Sequence, residues 1–299
     1  MASAKTTYVC AECAWVSSKW VGQCGECQAW NSMQEGSANT KGLGAVKAIK
    51  PAKLVGSSSA RPISEISTEN VTAWPTGVGE FDRVLGGGLV PGAVVLLSGE
   101  PGVGKSTLLL EVAANAAKRG LRVLYVSGEE SVGQVRLRAE RTGAVVEGLY
   151  LASETDLANV LGQIDSINPN LLVVDSVQTI AHSDLDGAAG MPAQIREVAS
   201  NLIRVAKERD LPVILVGHVT KDGSIAGPRV LEHLVDAVCH FEGDRQTALR
   251  FVRSLKNRFG PTDEVGCFEM TGEGIAEVAD PSGLFLSRPD SPVRHLRNS

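Results

Sequence analysis

The segment GEPGVGKS at residues 99–106 constrains the fold of this chain more than any other feature. It fits the phosphate-binding pattern G-x-x-x-x-G-K-[ST] without a mismatch. The apolar run at residues 93–97 predicts a buried strand before it, and residues 107–114 predict a helix after it. A glycine-rich loop between a strand and a helix is the context in which this pattern binds a nucleoside triphosphate. The residues that we expect to contact the nucleotide are Gly99, Glu100, Pro101, Gly102, Val103, Gly104, Lys105, Ser106 and Thr107.

The polar residues of this region have predicted tasks in binding a triphosphate with Mg²⁺. Backbone N–H groups surround the β-phosphate, Lys105 reaches the β- and γ-phosphates, and the Ser106 hydroxyl binds Mg²⁺. Asp175 closes the apolar run at residues 171–174, as the acid of a Walker B strand does. We expect Asp175 to hold the same Mg²⁺ through water.

Two carboxylates are candidates for positioning the attacking water. Glu129 and Glu130 follow a predicted buried strand at residues 121–126, and α/β sheets place chemistry at the carboxyl ends of their strands. Glu130 also fits the role of an acid at a helix N-terminus, where the helix dipole favours negative charge. We therefore favour Glu129 as the catalytic carboxylate and keep Glu130 as the alternative.

Composition and pattern together favour an α/β fold with a central, mostly parallel sheet. Aromatic residues make up only 4% of the chain, whereas glycine occupies 32 positions, which suits sheets filled with Val, Leu and Ala. A helical pattern ends before Asn168-Pro169, a helix is predicted at residues 193–209, and a short helix is predicted within residues 76–89. Further strands are predicted at residues 213–217, 237–242, 249–254, 265–270 and 275–278.

Four cysteines near the start of the chain predict a zinc site. The pairs Cys10-x2-Cys13 and Cys24-x2-Cys27 have ten residues between them, a spacing that lets four thiolates surround one Zn²⁺. So short a segment cannot bury enough surface to fold alone, so the metal would supply its stability. A redox pair is the rival interpretation, although the βαβ setting of such pairs is absent here.

Three tryptophans lie around these cysteines. Trp15, Trp20 and Trp30 either stack on nucleic-acid bases or form the small core of the module. The remaining cysteines, Cys239 and Cys267, stand alone in apolar strands and are expected to fill the core.

The chain divides into four predicted parts: a zinc-binding module at residues 1–33, a flexible basic linker at 34–65, a nucleotide-binding domain at 66–285 and a polar tail at 286–299. The linker cations either follow a phosphate backbone or only aid solubility. A net charge of −5 gives no whole-chain support for nucleic-acid binding, so such a site must be a local patch. The chain lacks both a long apolar stretch and an apolar signal core, which predicts a soluble, cytoplasmic protein without a membrane partner.

Several residues outside the nucleotide loop are further candidates. His218, after the strand at residues 213–217, either senses the γ-phosphate or is a hydrogen-bonded structural residue. Residues 182–192 are predicted to form a mobile loop, and residues 221–229 a cationic glycine-rich loop over a polyanion. The pentapeptide at residues 256–260, KNRFG, places two cations and an aromatic residue on a predicted turn, which indicates a phosphate contact or a solvated turn.

Together these motifs resemble the RadA (Sms) family of bacterial recombination and repair ATPases, which belong to the RecA-like P-loop group. Four features carry the resemblance: the four-cysteine knuckle with Trp20 and Trp30, the phosphate-binding loop, residues 217–236, and the KNRFG pentapeptide, which is the signature of this family. They extend over essentially all of residues 8–283.

The resemblance implies a RecA-like P-loop ATPase core and a homo-hexameric ring like those of replicative helicases, with ATP, Mg²⁺ and Zn²⁺ as cofactors. It implies a DNA-dependent ATPase that moves on single-stranded DNA and promotes branch migration of recombination intermediates, in contact with a recombinase and the replicative helicase machinery. Lys256 and Arg258 would then reach the γ-phosphate bound by a neighbouring subunit. The residues expected to contact DNA are Lys221, Arg229, Lys256 and Arg258, with the loops at 182–192 and 221–230 facing the channel.

Family members usually continue into a Lon-protease-like domain that contributes to ring assembly, whereas these 299 residues stop after a polar tail. We therefore expect the hexamer to be weaker in this chain. The alternative function is a nucleotide-gated scaffold that binds DNA and partner proteins and hydrolyses ATP slowly.

Overall fold

The computed structural model describes residues 7–11, 15–26, 28–36, 62–65, 72–219, 230–243 and 247–278. The chain divides into two compact units, Met1–Ile66 and Ser67–Ser299. The first contains the predicted zinc module and the second the phosphate-binding loop. The four-part division of the sequence stays a prediction.

The first unit holds a three-stranded antiparallel sheet in the order β2-β1-β3. Its strands are β1 (Thr7–Cys10), β2 (Val16–Ser17) and β3 (Met33–Gly36). Two turns close in the same way: the Cys10 N–H donates to the Trp15 carbonyl at 2.8 Å, and the Cys24 N–H donates to the Ala29 carbonyl at 3.0 Å. Cys10 and Cys24 therefore donate equivalent hydrogen bonds, each to the carbonyl five residues later.

The described part of the second unit is a nine-stranded sheet with helices. The strands are β4 (Val94–Gly99), β5 (Val123–Ser127), β6 (Leu149–Ser153), β7 (Leu171–Asp175), β8 (Val213–His218), β9 (Ala237–Gly243), β10 (Leu249–Asn257), β11 (Val265–Met270) and β12 (Ile275–Glu277). The helices are α1 (Gly79–Leu85), α2 (Lys105–Lys118), α3 (Val132–Arg141), α4 (Leu157–Ile167) and α5 (Pro192–Arg209), with a 3-10 helix at Val177–Thr179.

Six parallel strands make up most of this sheet, in the order β9-β4-β8-β7-β5-β6, and β10, β11 and β12 extend it in antiparallel fashion beyond β9. Parallel strands end at the same edge, so residues distant in sequence meet there. Gly99 pairs with His218, and Ser127 pairs with Asp175. The predicted α/β class with a mostly parallel sheet is confirmed.

Two apolar clusters cover the two faces of the sheet. Val95 and Leu97 of β4 belong to the cluster that contains α1 and α2, and Val94 and Leu96 belong to the cluster that contains α4 and α5. Successive side chains of a strand point to opposite faces. A strand buried on both faces is therefore a continuous apolar run in the sequence, which is why β4 and β7 could be predicted.

Side-chain caps define where two helices begin. Ser131 and Gln134 form a capping box at α3, and the Asp156 side chain accepts a hydrogen bond from the Ala158 N–H at α4. The S-x-x-Q pattern at residues 131–134 is typical of a helix N-terminus and could have predicted α3, which is not among the predicted helices. Pro192 occupies the first turn of α5, where its missing N–H removes no hydrogen bond.

Besides the unpredicted helix α3, the structure differs from the sequence predictions at β6, at residues 256–257 and at residues 63–65. The strand β6 lies at the sheet edge and is only partly buried, and it was not predicted although residues 149–152 form a short apolar run. Lys256 and Asn257 are not on a turn but end β10, where they pair with β9. A 3-10 turn at Ile63–Glu65 lies inside the predicted linker.

The loop predicted as mobile before α5 is tied down by one side chain. Gln194 is 1% exposed. Its amide accepts a hydrogen bond from the His182 N–H at 2.8 Å and donates to the carbonyls of Leu185 at 2.6 Å and Gly187 at 3.1 Å. These contacts fix residues 182–187 relative to the first turn of α5.

Candidate nucleotide site

The phosphate-binding loop joins β4 to α2 in the predicted strand, loop and helix arrangement. Two of its glycines are required by geometry. Gly104 precedes α2 with a φ of 113°, and a Cβ atom on Gly99 would lie 2.2 Å from the carbonyl oxygen of Phe241. The loop therefore brings backbone N–H groups to the N-terminus of α2, where an anion is favoured.

Lys105 lies at the base of this loop and is only 3% exposed. Its Nζ atom donates to the carbonyl oxygens of Gly99 at 2.9 Å and Glu100 at 2.8 Å. Burial lowers the pKa of Lys105 to about 8, while the nearby charges of Asp175 and Glu129 favour the protonated form. A buried ammonium group of this kind would gain from an anionic ligand.

Glu129 follows β5 and meets polar groups from two other strands. Ser176 Oγ donates to Glu129 Oε1 at 2.7 Å, and His218 Nε2 lies 2.9 Å from the same oxygen. The His218 ring is the main cause that lowers the pKa of Glu129 to about 2; Ser176 adds to the effect and burial opposes it. Glu129 is therefore ionised at neutral pH.

His218 is held at the end of β8 by its backbone. Gln178 donates to the His218 carbonyl at 3.0 Å and accepts from the His218 N–H at 3.2 Å. Both ring nitrogens are buried, and within the described part of the chain neither makes a well-directed hydrogen bond. The backbone of His218 thus makes the hydrogen bonds to Gln178, while its ring faces Glu129.

Asp175 ends β7 and is 6% exposed. Tyr125 of β5 donates its hydroxyl hydrogen to Asp175 Oδ2 at 2.7 Å. Burial, followed by the Asp175 charge, raises the pKa of Tyr125 well above its usual value. The phenol consequently stays protonated and holds the carboxylate in a fixed orientation.

Glu130 has partners of its own. Its Oε1 atom accepts from Arg138 Nη2 at 2.5 Å, and its N–H donates to Ser127 Oγ at 3.0 Å. Glu130 thus connects the end of β5 to α3, while Glu129 faces β7 and β8. Arg138 is a site residue that the sequence predictions missed.

One cavity of about 300 Å³ is bordered by the charged side chains described above and by His218. Its glycine-lined loop, the buried ammonium of Lys105 and the buried Nη1 atom of Arg138 fit an anionic phosphate chain. Ser106 and Asp175 line the same cavity, and they carry oxygen atoms of the kind that Mg²⁺ prefers as ligands. The lining residues are Pro101, Gly102, Gly104, Lys105, Ser106, Thr107, Ser127, Glu129, Glu130, Arg138, Asp175, His218 and Met270.

Lys256 and Arg258 lie at the opposite edge of the sheet. Asn257 pairs with Ala237, which pairs with Val95 near the start of β4, whereas the phosphate-binding loop follows the end of β4. From Val94 to Gly99 the strand spans about 16 Å at ~3.3 Å per residue. Neither cation therefore reaches the nucleotide cavity of the same chain.

Both cations have partners within the same chain. Lys256 Nζ donates to the carbonyls of Glu232 at 2.8 Å and Val235 at 2.7 Å. Arg258 Nη1 lies 3.1 Å from Oδ1 of Asp236, a residue that is 3% exposed. The Arg258 side chain is 56% exposed, so it remains accessible.

All four predicted zinc ligands lie in the first unit, and the structure describes two of them, Cys10 and Cys24. Cys10 and Cys24 are 2% and 1% exposed, and Trp15 packs against their cluster. Trp20 and Trp30 are 59% and 71% exposed, so the core interpretation holds for Trp15 alone among the three tryptophans.

Cys13, Cys27, Lys221 and Arg229 lie outside the described residues. Convergence of the four thiolates and DNA contact by the two cations stay predictions. The equivalent hydrogen bonds donated by Cys10 and Cys24 fit a site built from two similar halves.

Two family models match the chain. The family described as "AAA domain" matches residues 78–224, which include the phosphate-binding loop and Asp175. The family described as "Rubredoxin metal binding domain", a zinc ribbon, matches residues 8–35, which include all four predicted metal ligands. These matches support ATP and Mg²⁺ in the cavity and Zn²⁺ in the first unit.

Curated relatives match over nearly the whole chain. "DNA repair protein RadA" of Mycobacterium tuberculosis (strain CDC 1551 / Oshkosh) is 54% identical over 295 residues, which are 98% of this chain and 61% of that protein. This chain belongs to the RadA family. "DNA repair protein RadA" of Bacillus subtilis (strain 168) is 46% identical over 286 residues, 96% of this chain and 62% of that protein. The chain thus spans about three fifths of the length of these RadA relatives.

Two solved structures share the fold. The KaiC-like protein PH0186 of Pyrococcus horikoshii OT3 has a TM-score of 0.58 at 23% identity, covering 70% of this chain and 99% of that one. A second structure, described as an ATPase domain, has a TM-score of 0.60 at 16% identity, covering 70% of this chain and 92% of that one. The RecA-like core expected for a RadA family member is confirmed. Among the described residues, no helix is long and apolar enough to cross a membrane.

Proposed function

We propose that this chain is the motor portion of a DNA repair ATPase, which hydrolyses ATP and couples hydrolysis to movement on single-stranded DNA, with branch migration of recombination intermediates as the outcome. One observation carries the proposal: Lys105, Ser106, Asp175 and the ionised Glu129 border a single cavity at the end of a phosphate-binding loop. The relatives named "DNA repair protein RadA" support a role in DNA repair.

The residues of the cavity divide the work of hydrolysis. Lys105 and the loop N–H groups bind the phosphates and stabilise the negative charge that develops during transfer. Mg²⁺, held by Ser106 and Asp175, would neutralise further phosphate charge. Glu129 orients the attacking water and accepts its proton, while Ser176 and His218 keep the carboxylate ionised and in place. We assign this role to Glu129 because Glu130 is held by Arg138.

We further propose that the chain works as a ring in which Lys256 and Arg258 act on the nucleotide of a neighbouring subunit. Their place at the far edge of the sheet supports this, since neither cation reaches the cavity of its own subunit. Lys221 and Arg229, with the exposed side of Arg258, are the proposed contacts to DNA. Partners in recombination and replication belong to the same proposal.

The test measures ATP turnover by this chain with and without single-stranded DNA, records its mass in solution, and follows strand displacement on a branched DNA substrate. We expect DNA to stimulate turnover by an oligomer, and displacement to require ATP. A scaffold would bind DNA with slow, DNA-insensitive turnover and without displacement, and that result would contradict the motor.

A further inference from the structure

Arg138 reaches the nucleotide cavity from α3 with half of its guanidinium fixed. Its Nη2 atom is paired with Glu130 Oε1 at 2.5 Å. The other terminal nitrogen, Nη1, is buried and finds no hydrogen-bond partner among the residues that the structure describes. A buried charged donor without an acceptor is unfavourable. The geometry of Arg138 is therefore that of a group whose acceptor is a ligand.

Contacts within the protein hold the Arg138 side chain toward the cavity. The capping box of Ser131 and Gln134 fixes the first turn of α3. Two hydrogen bonds hold the backbone of Glu130: its N–H donates to Ser127 Oγ at 3.0 Å, and its carbonyl accepts from Ser153 Oγ at 3.3 Å. Arg138 is accordingly 20% exposed, whereas Arg136 on the same helix is 55% exposed.

The position of Arg138 in the cavity indicates which phosphate it faces. Lys105 lies at the base of the loop, where the inner phosphates bind. Arg138 approaches from the side of β5, which ends before its partner Glu130, and its charge acts on Tyr125, the hydrogen-bond partner of Asp175. A phosphate chain that extends from the loop toward Asp175 and Glu129 would therefore end on the side of the cavity where Arg138 lies.

We propose that Arg138 Nη1 donates a hydrogen bond to an oxygen of the terminal phosphate of ATP in the same subunit, and that Glu130 is the positioning residue that holds Arg138 for it. This inference rests on the proposed function, in which ATP is the ligand of the cavity. A fixed donor at the terminal phosphate stabilises the charge of the transferring group. It also distinguishes a triphosphate from a diphosphate, since ADP offers no oxygen at that place.

The experiment compares Arg138→Ala with the matched variant Arg136→Ala, which removes an exposed arginine two residues away on the same helix. ATP turnover is measured for each, together with the Kd of ADP and of a non-hydrolysable ATP analogue. We expect Arg138→Ala to lower kcat by about tenfold or more and to weaken analogue binding while the Kd of ADP changes less than about twofold. Arg136→Ala should behave like the wild type. Glu130→Gln, which keeps the Arg138 charge but loosens its position, should lower kcat without altering the Kd of ADP.

Unaltered ADP binding and unaltered thermal unfolding also show that Arg138→Ala folds. If this variant turns ATP over at the wild-type rate, or if ADP and the analogue lose affinity equally, the proposal for Arg138 is overturned. If Arg138→Ala unfolds, Arg138→Lys is tested in its place. This variant keeps the positive charge but lacks the two terminal nitrogens of the guanidinium group. A wild-type kcat in Arg138→Lys would contradict the proposal. Failure of the proposed function is distinguishable, because then the wild-type chain itself would not hydrolyse ATP.

Discussion

The Tyr125 hydroxyl donates a hydrogen bond of 2.7 Å to Asp175 Oδ2, joining neighbouring strands at the edge where the nucleotide cavity lies. Tyr125 is 1% exposed, and burial keeps its phenol protonated. A buried donor of this kind orients a carboxylate that binds a metal. The core of the sheet thus supports the proposed Mg²⁺ site directly.

Replacing this tyrosine should weaken Mg²⁺ binding. Tyr125→Phe removes only the hydroxyl and leaves Asp175 free to turn, so we expect the Mg²⁺ concentration for half-maximal ATP turnover to rise on the order of tenfold. Tyr150→Phe is the matched control, since Tyr150 lies on β6 and is 44% exposed. An unchanged Mg²⁺ requirement in Tyr125→Phe would refute this role.

The two neighbouring carboxylates should respond differently to neutralisation. Glu129→Gln removes the group that accepts a proton from water but not the phosphate contacts, so we expect kcat to fall by about 100-fold or more with little change in ATP affinity. Glu130→Gln should lower kcat less, because it acts only through Arg138. Single-turnover kinetics with equilibrium nucleotide binding measure both effects. The reverse order of the two losses would make Glu130 the catalytic carboxylate.

ATP affinity should depend on pH through Lys105. Burial lowers the pKa of Lys105 to about 8 in the ligand-free protein, and only the protonated form attracts phosphate. We therefore expect ATP binding to be constant below pH 7 as far as this residue is concerned, and to weaken above pH 8 by at most about tenfold per pH unit. Titration of nucleotide binding between pH 7 and 9.5 measures this slope. Lys105→Arg, whose guanidinium stays charged, should lose the slope; the same slope in that variant would exclude Lys105 as its origin.

The first unit should bind zinc without taking part in hydrolysis. Cys10→Ser combined with Cys24→Ser removes two buried thiols, and we expect zinc content to fall from about one ion per chain to none. Trp15 packs against these cysteines, so its fluorescence should shift. Basal ATP turnover should persist, because every residue lining the nucleotide cavity lies in the second unit. Cys267→Ser serves as the control, and retained zinc in the double variant would contradict the metal site.

The sequence predicted the parts of the site that depend on local pattern. The phosphate-binding loop follows one apolar run and Asp175 ends another, so each is recognisable within about ten residues of chain. Glu129 was favoured over Glu130 from helix-dipole reasoning, and the structure adds a separate reason, the pairing of Glu130 with Arg138.

The parts that escaped prediction depend on neighbours distant in sequence. Tyr125 is an aromatic residue in an apolar strand, a pattern typical of core, and its role arises only because β7 lies beside β5, 50 residues away. Arg138 is one of several arginines on a polar helix, and only the capped start of α3 directs it inward. Strand order could not be deduced either, because the apolar runs specify burial and not which strands pair.

The proposed function depends most directly on whether this cavity hydrolyses ATP, and steady-state turnover of the wild-type chain against Lys105→Ala measures that. Both proteins are assayed at saturating ATP, Mg²⁺ and single-stranded DNA. We predict turnover by the wild type and a loss of about 100-fold or more in Lys105→Ala, because no other residue of the loop can bring a positive charge to the phosphates. A Lys105→Ala protein that retains a rate comparable to the wild type would contradict the site.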